Sequence, residues 1–263
     1  MKYDGNGKNV KKLLISVGLI ISLLGMICVP DSHVYAAEHT EKTQVELGKD
    51  NETLPKKNPD DEIYGMPRLD SEEKKDYHTL QLRMTRSDQN EIRLTWNYMS
   101  DATGYELYGA RCNTGSRRYK VALITDLEDP AMTAWMCLGL KENTYYKFVV
   151  RAYQKKNGIK TYLARSVCTH VPTAGDKYGT IQAVRVSDEK VKMAVGGSHT
   201  IKATAGTDDR KLLRHIGMRY ESTAPDVVTV DGNGKLHAVK KGSADIYVYA
   251  PNGLYTMVSV NVR

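Results

Sequence analysis

The chain has 263 residues, with 38 lysines and arginines against 31 aspartates and glutamates, a formal net charge of +7. That balance is too modest and too scattered for a nucleic-acid-binding stripe, and Cys112, Cys137 and Cys168 are spaced neither as zinc ligands nor as the disulfide framework of a small scaffold. Tyrosine is abundant, 17 against 1 phenylalanine and 2 tryptophans, so where those rings point matters for any surface the protein uses.

Lys11 and Lys12 precede an apolar run over 13–29 that Pro30 ends, and Val34-Tyr35-Ala36 puts small residues three and one before a cut. This is the pattern of a signal peptide over 1–36, cleaved after Ala36. The length of the run leaves an uncleaved single-span anchor as the competing reading, the one case in which a membrane is a partner. Bulky Ile27 before Cys28 argues against a lipoprotein cut. Residues 37–75 hold 7 basic and 11 acidic side chains, Pro55, Pro59 and Pro67, and no hydrophobic period. Such a stretch buries too little to offset its chain entropy, which predicts a disordered acidic linker. The remainder suits two domains, 76–174 and 177–263.

In the first domain, period-two alternation predicts strands through Leu80-Leu82-Met84, Ile92-Leu94-Trp96, Tyr105–Tyr108, Tyr119–Ile124 and Thr133–Trp135. Leu140 is followed six residues later by Tyr146 across a polar turn, the spacing of a tyrosine corner leading into an immunoglobulin-like strand F. In that strand Tyr146, Phe148, Val150 and Ala152 share one face, and Lys147, Val149 and Arg151 the other. A Lys155–Gly158 turn leads to a last strand over about 161–171, which Pro172 stops. The odd cysteine count leaves both a Cys112–Cys168 bridge and three unpaired thiols open.

The second domain shows strands at Ile181–Val186, His199–Ala205, Met218–Ser222 and Val227–Val230, a hairpin through Asp231–Gly234 into Lys235–Val239, then Ala244–Tyr249 and Thr256–Val262. The Asn233-Gly234 pair supplies positive φ for the hairpin.

Trp96, Gly104-Tyr105-Glu106-Leu107-Tyr108 and the run from Gly139-Leu140 to Tyr146–Tyr153 resemble a bacterial fibronectin type III domain, of the kind found in secreted proteins of Gram-positive gut anaerobes. The segment departs at the Cys112–Arg118 turn, at Cys137, and at Glu142, where a proline is usual. Ser222, Pro225, Val227, Val230, Gly234, Gly242 and Ile246 are similar in placement to the bacterial Ig-like group 2 family, with Tyr220 where a tryptophan is usual and a long insertion over 207–217. The two resemblances imply an all-β chain of two tandem immunoglobulin-like sandwiches after the signal peptide and linker. They also imply surface-exposed spacers and adhesins, mostly without catalysis.

The chemistry of the residues agrees. There is no His-Glu-x-x-His, Gly-x-Ser-x-Gly or phosphate-cradling loop. The acidic triplet Asp60-Asp61-Glu62 sits in the linker, where nothing fixes the separation an acid–base pair needs. Asp231-x-Asn233 lacks the further ligands of a calcium loop, and His199, His215 and His237 have no paired spacing. No catalytic residue, metal or cofactor is expected, and no nucleic-acid partner. Alternation instead turns Tyr108, Tyr145, Tyr153, Lys147 and Arg151 outward on the first domain, and Tyr247 and Tyr249 on the second. Rings beside cations can stack on sugars or grip peptides, and on a solvated sheet they also pack on one another. The expected protein is extracellular, secreted or cell-surface associated, and binds polysaccharide or surface proteins. A ligand-free spacer of the cell envelope is the alternative.

Overall fold

The computed structural model describes residues 27–29, 63, 66, 77–112, 119–207 and 217–263. The described residues are all-β. Among them no helix is long and apolar enough to cross a membrane. The signal peptide expected over 1–36 lies outside the described residues except for β1 (Ile27–Val29), and the linker except for Ile63 and Met66.

The first sandwich packs two sheets. One has the order β1-β6-β3-β2, from β2 (Leu82–Ser87), β3 (Ile92–Trp96) and β6 (Ala134–Leu138). The other runs β5-β4-β7-β8, from β4 (Gly104–Arg111), β5 (Ala122–Leu127), β7 (Tyr145–Lys156) and β8 (Ile159–Arg165). The single last strand expected over 161–171 is broken. β8 pairs with residues 151–156 of β7, and β9 (Thr169–Pro172) pairs with residues 145–148. At the break, Ser166 Oγ accepts the Val150 N–H, and the Ser166 N–H donates to the Val150 carbonyl. Asn157 and Gly158, both at positive φ, close the β7–β8 hairpin as an Asn-Gly pair should.

Between these sheets lies a core of Leu80, Leu82, Ile92, Leu94, Trp96, Tyr105, Leu107, Phe148, Val150 and their neighbours. The tyrosine corner is formed: the Lys141 N–H donates to Tyr146 Oη at 2.8 Å. β3 alternates between buried and half-buried residues, as a strand with one covered face does. β4 and β7 do not alternate, and seven and nine consecutive residues in them are buried. Their sheet is therefore covered on both faces.

The second sandwich sets β11 (Lys190–Met193), β18 (Tyr255–Val262), β17 (Gly242–Tyr249) and β14 (Arg219–Ser222) against β12 (Ser198–Thr200), β16 (Lys235–Ala238) and β15 (Val228–Val230). β10 (Ile181–Val186) pairs with β13 (Ala203–Thr207). β11, absent from the expected strands although Lys190-Val191-Lys192-Met193 alternates polar and apolar, runs parallel to β18. Val191, Ile201, Val228, Leu236, Ile246, Val248, Val258 and Val260 fill the interior. In the 231–234 turn Asp231 Oδ1 accepts the N–H groups of Asn233 and Lys235, and those bonds hold its carboxyl below the usual range. Gly234 there has φ 79°, and a β-carbon on it would meet the Ile201 carbonyl at 2.6 Å.

Candidate functional site

The outward row of β4 and β7 is the surface the sequence offered for binding. In register, Glu106 lies opposite Arg151, Tyr108 opposite Val149, and Ala110 opposite Lys147. The face of each side chain is as expected, but the expected exposure is not found. Tyr108, Tyr145, Tyr153, Lys147 and Arg151 are all buried, Lys147 and Tyr153 completely and Arg151 at 1% exposure. Strand alternation sets the direction of a side chain and says nothing of what lies across from it. Here Tyr162 and Lys160 of β8 and the chain at Tyr119–Leu123 flank it along the sheet, and Tyr178 and the linker residues Ile63 and Met66 pack on it.

Charge and aromatic surface are matched inside this layer. Glu106 accepts hydrogen bonds from Tyr108 Oη (2.7 Å), Tyr162 Oη (2.8 Å) and Lys160 Nζ (2.7 Å). Lys160 also pairs with Asp126, which accepts from Tyr153 Oη at 2.7 Å. The Arg151 guanidinium sits 5.0 Å from the Tyr162 ring centre and 5.7 Å from that of Tyr108, within cation–π range. Burial, then the carboxylate each phenol donates to, pushes the Tyr108 and Tyr153 hydroxyls far above their ordinary value. Burial alone would lower Lys160. The hydrogen bonds to Asp126 and Glu106 outweigh it and hold the ammonium above its usual value. Two carboxylates share one ammonium, the neighbouring Arg151 guanidinium brings the formal charge of the group to zero, and the cluster fixes β4, β5, β7 and β8 to one another.

The cysteines lie close by. Cys112 Sγ is 3.1 Å from His170 Nδ1, both buried, and no disulfide joins any two of Cys112, Cys137 and Cys168. Among the described residues no three His, Cys, Asp or Glu side chains are arranged to hold a metal ion.

A second polar cluster joins the two sandwiches. The β17–β18 turn enters between β2 and β9. The His170 N–H donates to the Pro251 carbonyl at 2.6 Å, and the Met84 N–H to that of Asn252 at 3.4 Å. Asn252 is buried and donates from Nδ2 to the Ile181 carbonyl. Beside the turn, Arg219 donates to the Cys168 carbonyl. His78 stacks on Tyr247 with ring centres 5.6 Å apart, and its Nδ1 lies 3.1 Å from Glu221 Oε1. Glu221 Oε2 accepts from Tyr249 Oη at 2.9 Å. Burial raises the Glu221 carboxyl above its ordinary value, against the pull of those hydrogen bonds. Tyr249, expected to face solvent, is 1% exposed because this seam covers it, and Tyr247 is half-buried.

The sequence reading named one side of each cluster and missed the other: Glu106, Asp126, Lys160 and Tyr162 in the first, His78, Arg219 and Glu221 in the second. Glu106 carried a signal, since a carboxylate between Tyr105 and Leu107, on the face of Tyr108, in a strand that buries its neighbours needs partners.

Residues 180–255 match the bacterial Ig-like domain (group 2) family. Solved structures similar to the chain include domains 4 and 5 of the S-layer protein SbsC and the fn3 domain of human collagen alpha-1(XX) chain. The first is 14% identical, over 70% of this chain and 96% of that one, with a TM-score of 0.29. The second is 17% identical, over 36% and 84%, with a TM-score of 0.25. No protein of curated function matches the chain.

Proposed function

We propose that the chain is a non-catalytic modular protein, exported by the leader over 1–36 of a Gram-positive anaerobe and placed outside the cell or on its surface. Its fibronectin type III-like and bacterial Ig-like sandwiches serve as a rigid spacer of the envelope. The seam carries this reading: main-chain hydrogen bonds from His170 and Met84 to the 251–252 turn fix one sandwich against the other. Modules joined only by a linker move relative to one another by default. Adhesion to polysaccharide or surface proteins through Tyr108, Tyr145, Tyr153, Lys147 and Arg151 takes second place, because those side chains are covered. The reading needs no cofactor, metal or nucleic acid.

Two measurements test it. Fractionating the producing cells with an antibody to residues 76–263 should recover the chain in the medium or envelope, and a cytosolic chain would overturn the proposed location. X-ray scattering of the purified protein should fit one fixed arrangement of the two sandwiches. A profile that requires two freely jointed bodies would remove the spacer.

A further inference from the structure

Ile63 and Met66 belong to a segment whose composition predicts disorder, yet Met66 is 7% exposed. Both pack on the outer face of the β5-β4-β7-β8 sheet, on a shelf of Tyr108, Ala110, Val121, Val149 and Cys168. The Met66 N–H donates to the Ile63 carbonyl at 3.0 Å, which closes a turn. An i to i+3 bond sets the first and fourth side chains on one side, so a single turn delivers two apolar groups to the shelf.

The shelf is apolar, and Tyr108, Val121 and Val149 come from three different strands or their approaches, so its shape is set by the sheet and not by the segment that lies on it. It suits a peptide that presents two apolar side chains from one turn.

We infer that this shelf is a docking site for a peptide turn with apolar side chains at the first and fourth positions, occupied in this chain by its own Ile63 and Met66. Displacing that turn opens the site to a second peptide of the same chemistry. The inference does not depend on the spacer reading, since a fixed seam between the sandwiches neither requires nor forbids it.

The test uses the full chain and a fluorescein-labelled peptide of residues 58–70. In the unmodified protein the resident turn competes, and anisotropy should show weak binding. The Ile63→Asp/Met66→Asp chain should bind the peptide about tenfold more tightly or better, because an occupied site lowers apparent affinity by the fraction left open. A peptide carrying the same two aspartates should not bind. The inference is overturned if the double variant, with an unchanged melting curve, binds no better than the unmodified chain. Should the double variant not fold, Met66→Ala serves. Alkylation of Cys168, resolved by mass spectrometry, should then run faster than in the unmodified chain, and an equal rate would show that the turn does not cover the shelf.

Discussion

A β-carbon on Gly253 would stand 2.0 Å from the Leu82 carbonyl oxygen. Gly253 belongs to the second sandwich and Leu82 to the first, so the absence of a side chain at one position sets how closely the two can approach. Gly253 also has φ 83°, a conformation that costs other residues about 1–2 kcal/mol.

Gly253→Ala should therefore open the seam while leaving each sandwich folded. The expected result is a larger radius of gyration and separate melting of the two halves, with strand content by circular dichroism unchanged. Scattering identical to that of the unmodified chain would show that the 251–253 turn does not hold the sandwiches together.

Glu221 should give the seam a pH dependence. Its carboxyl is raised from an ordinary 4.5 chiefly by burial, so the folded chain holds this proton more tightly than the unfolded one. The stability it contributes is fully present below about pH 4.5 and is lost as pH rises through the higher folded value. Glu221→Gln keeps an acceptor for Tyr249 and removes the titration. The melting temperature of this variant should fall less steeply with pH above 4.5, and a slope equal to that of the unmodified chain would contradict the assignment.

Tyr146→Phe should destabilise the first sandwich by about 1–3 kcal/mol, the cost of leaving the Lys141 N–H without its acceptor in a part-buried corner. Because the ring remains in the core, chemical denaturation should show a lower midpoint with an unchanged slope.

Glu106→Ala should cost about 1–3 kcal/mol, since it leaves the buried Tyr108 hydroxyl without its acceptor, while Lys160 keeps Asp126. Tyr108→Phe removes only one donor and leaves Glu106 bonded to Lys160 and Tyr162, so urea denaturation should place it above Glu106→Ala in stability.

Much of the interior was legible from alternation. Phe148 and Val150 point into the core and Lys147 and Arg151 away from it, as period two requires, and Tyr146 caps the corner its spacing announced. The surface was less legible. Alternation placed Tyr108, Tyr153 and Tyr249 on the right faces but could not reveal Ile63, Met66 or the neighbouring sandwich that pack on those faces, because these come from distant parts of the chain. β11 escaped for a different reason. Its four residues alternate polar and apolar, but the run is short and its parallel partner β18 lies almost seventy residues on. The β8–β9 break escaped because Ser166, which reads as one more strand residue, carries the hydrogen bonds of the crossing.

That parallel pairing has a mechanical corollary. Lys190 to Met193 lie alongside Ser259 to Val262 with both strands running the same way. Tension drawn between the entry of the second sandwich and its last strand would slide these four pairs past each other in shear, loading their hydrogen bonds together. An antiparallel hairpin pulled from its open end peels one rung at a time. The bonds from Ser259 to Glu189 and from Arg263 to Met193 extend the zone that must give way at once.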